Sequence, residues 1–128
     1  MFKNLFKTIY YFLFDILAFF RNFDRKYNFI VITPRLLSKI IKKTFIFDKT
    51  NKNFFVQHVR NDFDLITINE IFVEENYNLK KFKIWEKISK RYNSYFKENI
   101  KPLIIDCGSN IGSSSEYFKR CFVNVELV

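Results

Sequence analysis

The sequence predicts an α/β protein, in which a mostly helical N-terminal extension precedes the first parallel strand, glycine loop and helix of an α/β sheet. Three observations predict it. A continuous apolar run at residues 103–105 leads into a turn holding both glycines of the chain, Gly108 and Gly112, and a helical pattern follows. Upstream, apolar residues recur at helical spacing in several stretches. The chain of 128 residues is 48% hydrophobic, which suits one small domain and excludes a disordered chain.

Composition narrows the classes further. Phe, Ile, Lys, Asn and Tyr supply 70 of the 128 residues. All five have codons built from A and T alone, so an AT-rich genome accounts for the aromatic share without selection for aromatics. Two cysteines are too few for a disulfide scaffold, and with His58 as the lone histidine no zinc pattern forms. Two thiols suit a reducing, cytoplasmic setting. The net charge of +9 lies wholly in residues 1–61, which hold twelve Lys or Arg against three Asp; residues 62–128 hold ten of each sign. That asymmetry points to an anionic partner for the first half, either a membrane surface or nucleic acid.

The elements follow in order. On a helix over the first twenty-two residues, Lys3, Lys7, Tyr11 and Asp15 share one more polar face, opposite a wide apolar stripe from Phe2 to Phe20. The apolar run is too short to span a bilayer, and no Ala-x-Ala-like cleavage site follows. The alternatives are a helix packed on its own domain and an amphipathic helix lying in the interface of an anionic membrane through residues 1–26, with Arg21, Arg25 and Lys26 beside it. Residues 34–43 form a helix opened by Pro34, with Leu36, Leu37, Ile40 and Ile41 on one face and Lys39, Lys42 and Lys43 opposite on a solvated one. That helix has no aromatics to stack on bases, which argues against nucleic acid. The polar segment 48–53 marks the boundary between a basic extension, residues 1–53, and the domain portion, residues 54–128.

In the second half, residues 54–59 read as a short strand. A helix capped by Asp62 or Asp64 then runs to about residue 75, with Leu65, Ile68, Ile71 and Phe72 inward. A second helix covers residues 82–98, with Trp85 on its core-facing stripe and Pro102 stopping the helical pattern. The strand at 103–105 has the continuous apolar character of one buried on both faces. It leads into Asp106-Cys107-Gly108-Ser109-Asn110-Ile111-Gly112, after which Ser113 and Glu116 are spaced as a capping box. A second strand begins at residues 123–128. A loop at the carboxyl end of such a strand, backed by a helix N-terminus, is where α/β sheets hold ligands. It is not a Walker loop, lacking Gly-Lys-Ser/Thr, and it lacks the three glycines of the dinucleotide fingerprint. Cys107 and Cys121 read as small buried residues without a catalytic partner, and His58 as structural.

The Asp-x-Gly-x-Asn-x-Gly loop resembles the first motif of S-adenosylmethionine-dependent methyltransferases, and Asn110 in place of a middle glycine resembles the FkbM-type family. The stretch from Arg60 to Asp64, followed by Asn76-Tyr77, resembles that family's upstream Arg-x-x-x-Asp…Tyr element. The resemblance covers residues 54–122. It implies a Rossmann-like methyltransferase fold and methyl transfer from S-adenosylmethionine to a hydroxyl of a sugar, lipid or natural product. It implies that Asp106 holds the loop near the cofactor's amino acid moiety, with Gly108, Ser109, Asn110 and Gly112 lining it; no catalytic base is identified. The ribose-gripping carboxylate of the family ends a later strand position than Glu126, so the family site is only partly present in 128 residues and the chain alone is expected to bind the cofactor weakly or not at all. Two other classes stay open on the sequence: a non-catalytic remnant of the fold, and a basic membrane-surface-binding protein.

Overall fold

The computed structural model describes residues 28–128, together with Phe6, Ile9, Tyr10, Phe12, Leu13, Ile16 and Leu17. Those seven positions are helical; the rest of the amphipathic N-terminal helix expected from the sequence lies outside the described residues. Among the described residues, no helix is long and apolar enough to cross a membrane. The architecture is mixed α/β and divides into two compact units, Met1–Glu75 and Asn76–Val128.

The first unit is built on an antiparallel meander of β1 (Phe29–Val31), β2 (Lys43–Asp48) and β3 (Asn53–His58), in that spatial order. The strand content corrects the expectation of a mostly helical extension, because β1 and β2 both lie before residue 54. Phe45 pairs with Val56 and Phe47 with Phe54, so these side chains share one sheet face. Thr44, Ile46, Phe55 and Gln57 alternate onto the other face and are buried. Helix α2 (Asp62–Ile68) continues into a wider π turn (Asn69–Val73), which packs against that inner face through Phe72. Leu65, Ile68, Ile71 and Phe72 are buried, as the periodicity predicts. Phe72 is fully buried, edge-on to Phe29 and Phe55 at 5.2 Å from each. Each such aromatic pair adds about 0.5–1.5 kcal/mol beyond area burial.

Three local expectations change here. The polar segment 48–53 is the β2–β3 hairpin turn and lies inside the first compact unit. Asp48 Oδ1 accepts from the Thr50 and Asn51 amides at 2.9 and 3.0 Å, and Lys52 takes a left-handed φ of 52°. Polar turn residues mark hairpins as readily as linkers, which is why composition alone misplaced it. The cap of α2 is Asn61, whose side chain accepts from the Phe63 and Asp64 amides, not Asp62 or Asp64. The helix at 34–43 is shorter, α1 (Arg35–Ile41), ended by Lys42 at φ 56°. Its one buried residue is Ser38, while Leu36, Leu37, Ile40 and Ile41 are exposed.

The second unit contains a short 3-10 turn (Leu79–Lys81), α3 (Trp85–Lys97), β4 (Leu103–Ile104), α4 (Ser113–Cys121) and β5 (Glu126–Leu127). Strands β4 and β5 pair in parallel, Leu103 with Glu126 and Ile104 with Leu127. A parallel pair needs a crossover, and α4 supplies it. The strand at residues 103–105 is not buried on both faces: Leu103 is 56% and Ile105 65% exposed, because a two-stranded sheet has no layer over that side. Trp85 is half-buried against Phe122, at 6.1 Å between rings, and no residue of α3 is fully buried. The core of this unit is instead Tyr117 and Phe122 with the small side chains Ser113 and Ser114.

Candidate functional site

The loop between β4 and α4 begins where the parallel pairing ends. The Asp106 amide donates to the Val128 carbonyl at 2.7 Å, which extends the β4–β5 ladder one residue into the loop. The Asp106 carboxylate then reaches across the loop to α4: Oδ2 accepts from Ser114 Oγ at 2.7 Å and from Ser115 Oγ at 2.6 Å. Hydrogen bonds to an ionised acceptor are among the stronger ones, so this clamp fixes the strand end against the first turn of the helix. Asp106 thereby ties the loop to α4, and the serines that complete the clamp were not singled out in the sequence.

Between these anchors the backbone is left-handed at three alternate positions: Gly108 at φ 94°, Asn110 at φ 53° and Gly112 at φ 78°. Glycine adopts this region without steric cost, and asparagine tolerates it better than most residues. The Asp-x-Gly-x-Asn-x-Gly spacing is therefore the spacing of the left-handed positions. The Gly112 amide donates to the Ser109 carbonyl at 2.7 Å, closing the turn. A Cβ added at Gly108 or Gly112 would meet nothing within 4 Å, so the glycines serve the backbone conformation and the space before them is open.

The capping box does not form. Gly112 occupies the N-cap of α4, which has no side-chain cap. Ser113 is instead buried inside the first turn, and Glu116 is engaged by Arg120 at 2.7 Å. The N-terminal turn of α4, with its positive dipole end, faces the glycine loop uncapped by any side chain. Ser109 and Gly112 are half-buried, and Gly108 and Asn110 are exposed. Both cysteines are exposed rather than buried, Cys107 in the glycine loop and Cys121 at the end of α4.

The other element of the motif pattern belongs to the first unit. Arg60 and Asp64 form a bidentate pair, Nε to Oδ2 at 3.1 Å and Nη2 to Oδ1 at 3.0 Å, and the Arg60 amide donates to Oδ2 at 2.7 Å. Asp64 is buried while the guanidinium is largely exposed. The hydrogen bonds from Arg60 hold the Asp64 carboxyl below the usual carboxylate range despite the opposing effect of burial. The same pairing raises the Arg60 guanidinium further. The pair closes the turn between β3 and α2. Tyr77, of the second unit, packs edge-on against Phe118 of α4 at 5.9 Å. His58 stands exposed at the end of β3, opposite Lys43.

Sequence reasoning missed a groove of about 520 Å³ in the second unit, lined by Ile88, Tyr92, Leu103, Ile105, Phe118 and Phe122 among others. Its signal was present in the apolar stripe of α3 and the apolar strand, both assigned to a closed core. Tyr92 at its wall donates to the Val123 carbonyl at 2.6 Å, and burial raises its phenol above the ordinary value. Among the described residues no cluster of His, Cys, Asp and Glu is arranged to hold a metal. No family model, no curated protein and no solved structure was found to match the chain.

Proposed function

We propose that the second unit is the opening of a Rossmann-like fold of the FkbM-type methyltransferase class, and that its glycine loop cradles the amino acid end of S-adenosylmethionine. The carrying observation is the order strand, left-handed glycine loop, uncapped helix N-terminus and parallel strand, with the loop at the carboxyl end of β4. This is the position at which open α/β sheets take ligands. The residues fit such a group in three respects. The space before Gly108 and Gly112 is open, the amides at the start of α4 suit a carboxylate, and Asp106 is held in place by two hydroxyls. In this reading Gly108, Ser109, Asn110 and Gly112 line the cofactor, and Asp106 positions the loop.

When bound, the cofactor supplies an electrophilic methyl group for in-line displacement. The contribution of this chain is positioning, because a well-oriented attack lowers the barrier largely through entropy already spent on binding. The acceptor class follows from the resemblance: a hydroxyl of a sugar, lipid or natural product, whose proton a residue outside the loop would take. A cytoplasmic setting accords with two cysteines that are not joined in a disulfide.

Amide chemical shifts recorded during titration with S-adenosylhomocysteine to millimolar concentration test the reading. Gly108, Asn110, Gly112 and Ser113 should move together, weakly saturating, while the amides of β2 and β3 stay still. Movement confined to residues away from the loop, or equal movement throughout the chain, would refute it.

A further inference from the structure

We infer that the outer face of α1 docks the protein on an anionic bilayer. An amphipathic helix ordinarily buries its aliphatic stripe. Here the stripe of Leu36, Leu37, Ile40 and Ile41 is turned to solvent, Ile40 to 70% exposure, and only Ser38 is buried, its hydroxyl 3.5 Å from the Thr33 carbonyl. The charge around that stripe selects its occupant. Residues 28–47 contain Arg35, Lys39, Lys42 and Lys43 and no Asp or Glu. Asp62 engages Lys39 at 2.7 Å, and Arg35, Lys42 and Lys43 are exposed. A second copy presenting the same face would set cations against cations, and the chain's own residues 1–27, with five Lys or Arg against two Asp, are also cationic. An anionic lipid surface answers both halves of the pattern: aliphatic side chains enter the boundary between headgroups and acyl chains while lysine and arginine stems reach the phosphates. The inference is independent of the methyltransferase reading, since α1 and the glycine loop belong to different units.

Vesicle flotation of the full chain tests it, using phosphatidylcholine alone and an equimolar mixture with phosphatidylglycerol. The wild type should float with the anionic vesicles, not with the zwitterionic ones, and should be released by salt. Leu36→Asn with Ile40→Asn alters only exposed side chains, so circular dichroism should be unchanged while bound protein falls on the order of tenfold. Four results would overturn the proposal. These are no flotation by the wild type, equal flotation with both vesicle types, undiminished flotation of the double variant, and a wild-type dimer in sedimentation that the variant loses.

Discussion

Replacing Gly112 by alanine separates two reasons for having glycine in the loop. A Cβ at this position would meet nothing within 4 Å, so no neighbour is displaced and no overpacking cost arises. What is left is the backbone at φ 78°, a region that costs an L-residue about 1–2 kcal/mol. Alanine also restricts the unfolded chain, which offsets about 0.4–1 kcal/mol of that cost. The expected net loss is therefore about 1 kcal/mol. Gly112→Asn should lose less, because asparagine tolerates the left-handed region and is a better N-cap than alanine. Urea unfolding followed by fluorescence is the assay, since Trp85 is the one tryptophan of the chain and is packed against Phe122 in the same unit. An alanine variant as stable as the wild type, or more so, would refute the left-handed assignment. A loss above about 3 kcal/mol would instead mean that a side chain at 112 collides, and that the space before the loop is closed.

Two further outcomes concern the first unit. Phe72→Ala, which empties a fully buried site between Phe29 and Phe55, should cost about 3–5 kcal/mol in chemical denaturation, enough to unfold a marginal unit. Asp64 has a folded pKa below its unfolded value of about 3.9, so it contributes stability above that pH and loses the contribution as pH falls through the lowered folded value. Asp64→Asn should cost about 1–3 kcal/mol at neutral pH and flatten this acid limb of the stability curve, measured by urea midpoints across the acid range.

The parts legible in the sequence are those in which periodicity reports burial directly. Leu65, Ile68, Ile71 and Phe72 were placed inward by spacing alone and are buried. On α1 the spacing separates two faces without saying which is covered: Leu36, Leu37, Ile40 and Ile41 are exposed and Ser38 is buried. At α2 the spacing pointed to Asp62 or Asp64 as the cap; Asn61 caps instead, with Asp64 engaged by Arg60 and Asp62 by Lys39. The glycine loop was legible as a loop, since Gly108, Asn110 and Gly112 are the residue types that left-handed backbone selects. Its clamp was not, because Asp106 meets Ser114 and Ser115 across the loop, a separation no local pattern encodes. The apolar strand at 103–105 misled for the opposite reason: composition states what a segment would bury, and the two-stranded sheet covers only part of it.

The parallel pairing of β4 with β5 also sets an order of events during folding. Antiparallel β2 and β3 are joined by a short turn and can zip from it, since little chain entropy is lost in closing so small a loop. Leu103 and Glu126 can meet only after the whole crossover has been gathered in, and their strands then offer two residue pairs in return. Helix α4 must shorten that path first, and the Asp106 clamp to Ser114 and Ser115 is the contact through which it does so. Because the clamp spans residues 106–115, closing it organises the glycine loop in the same step that brings the two strands within reach of each other.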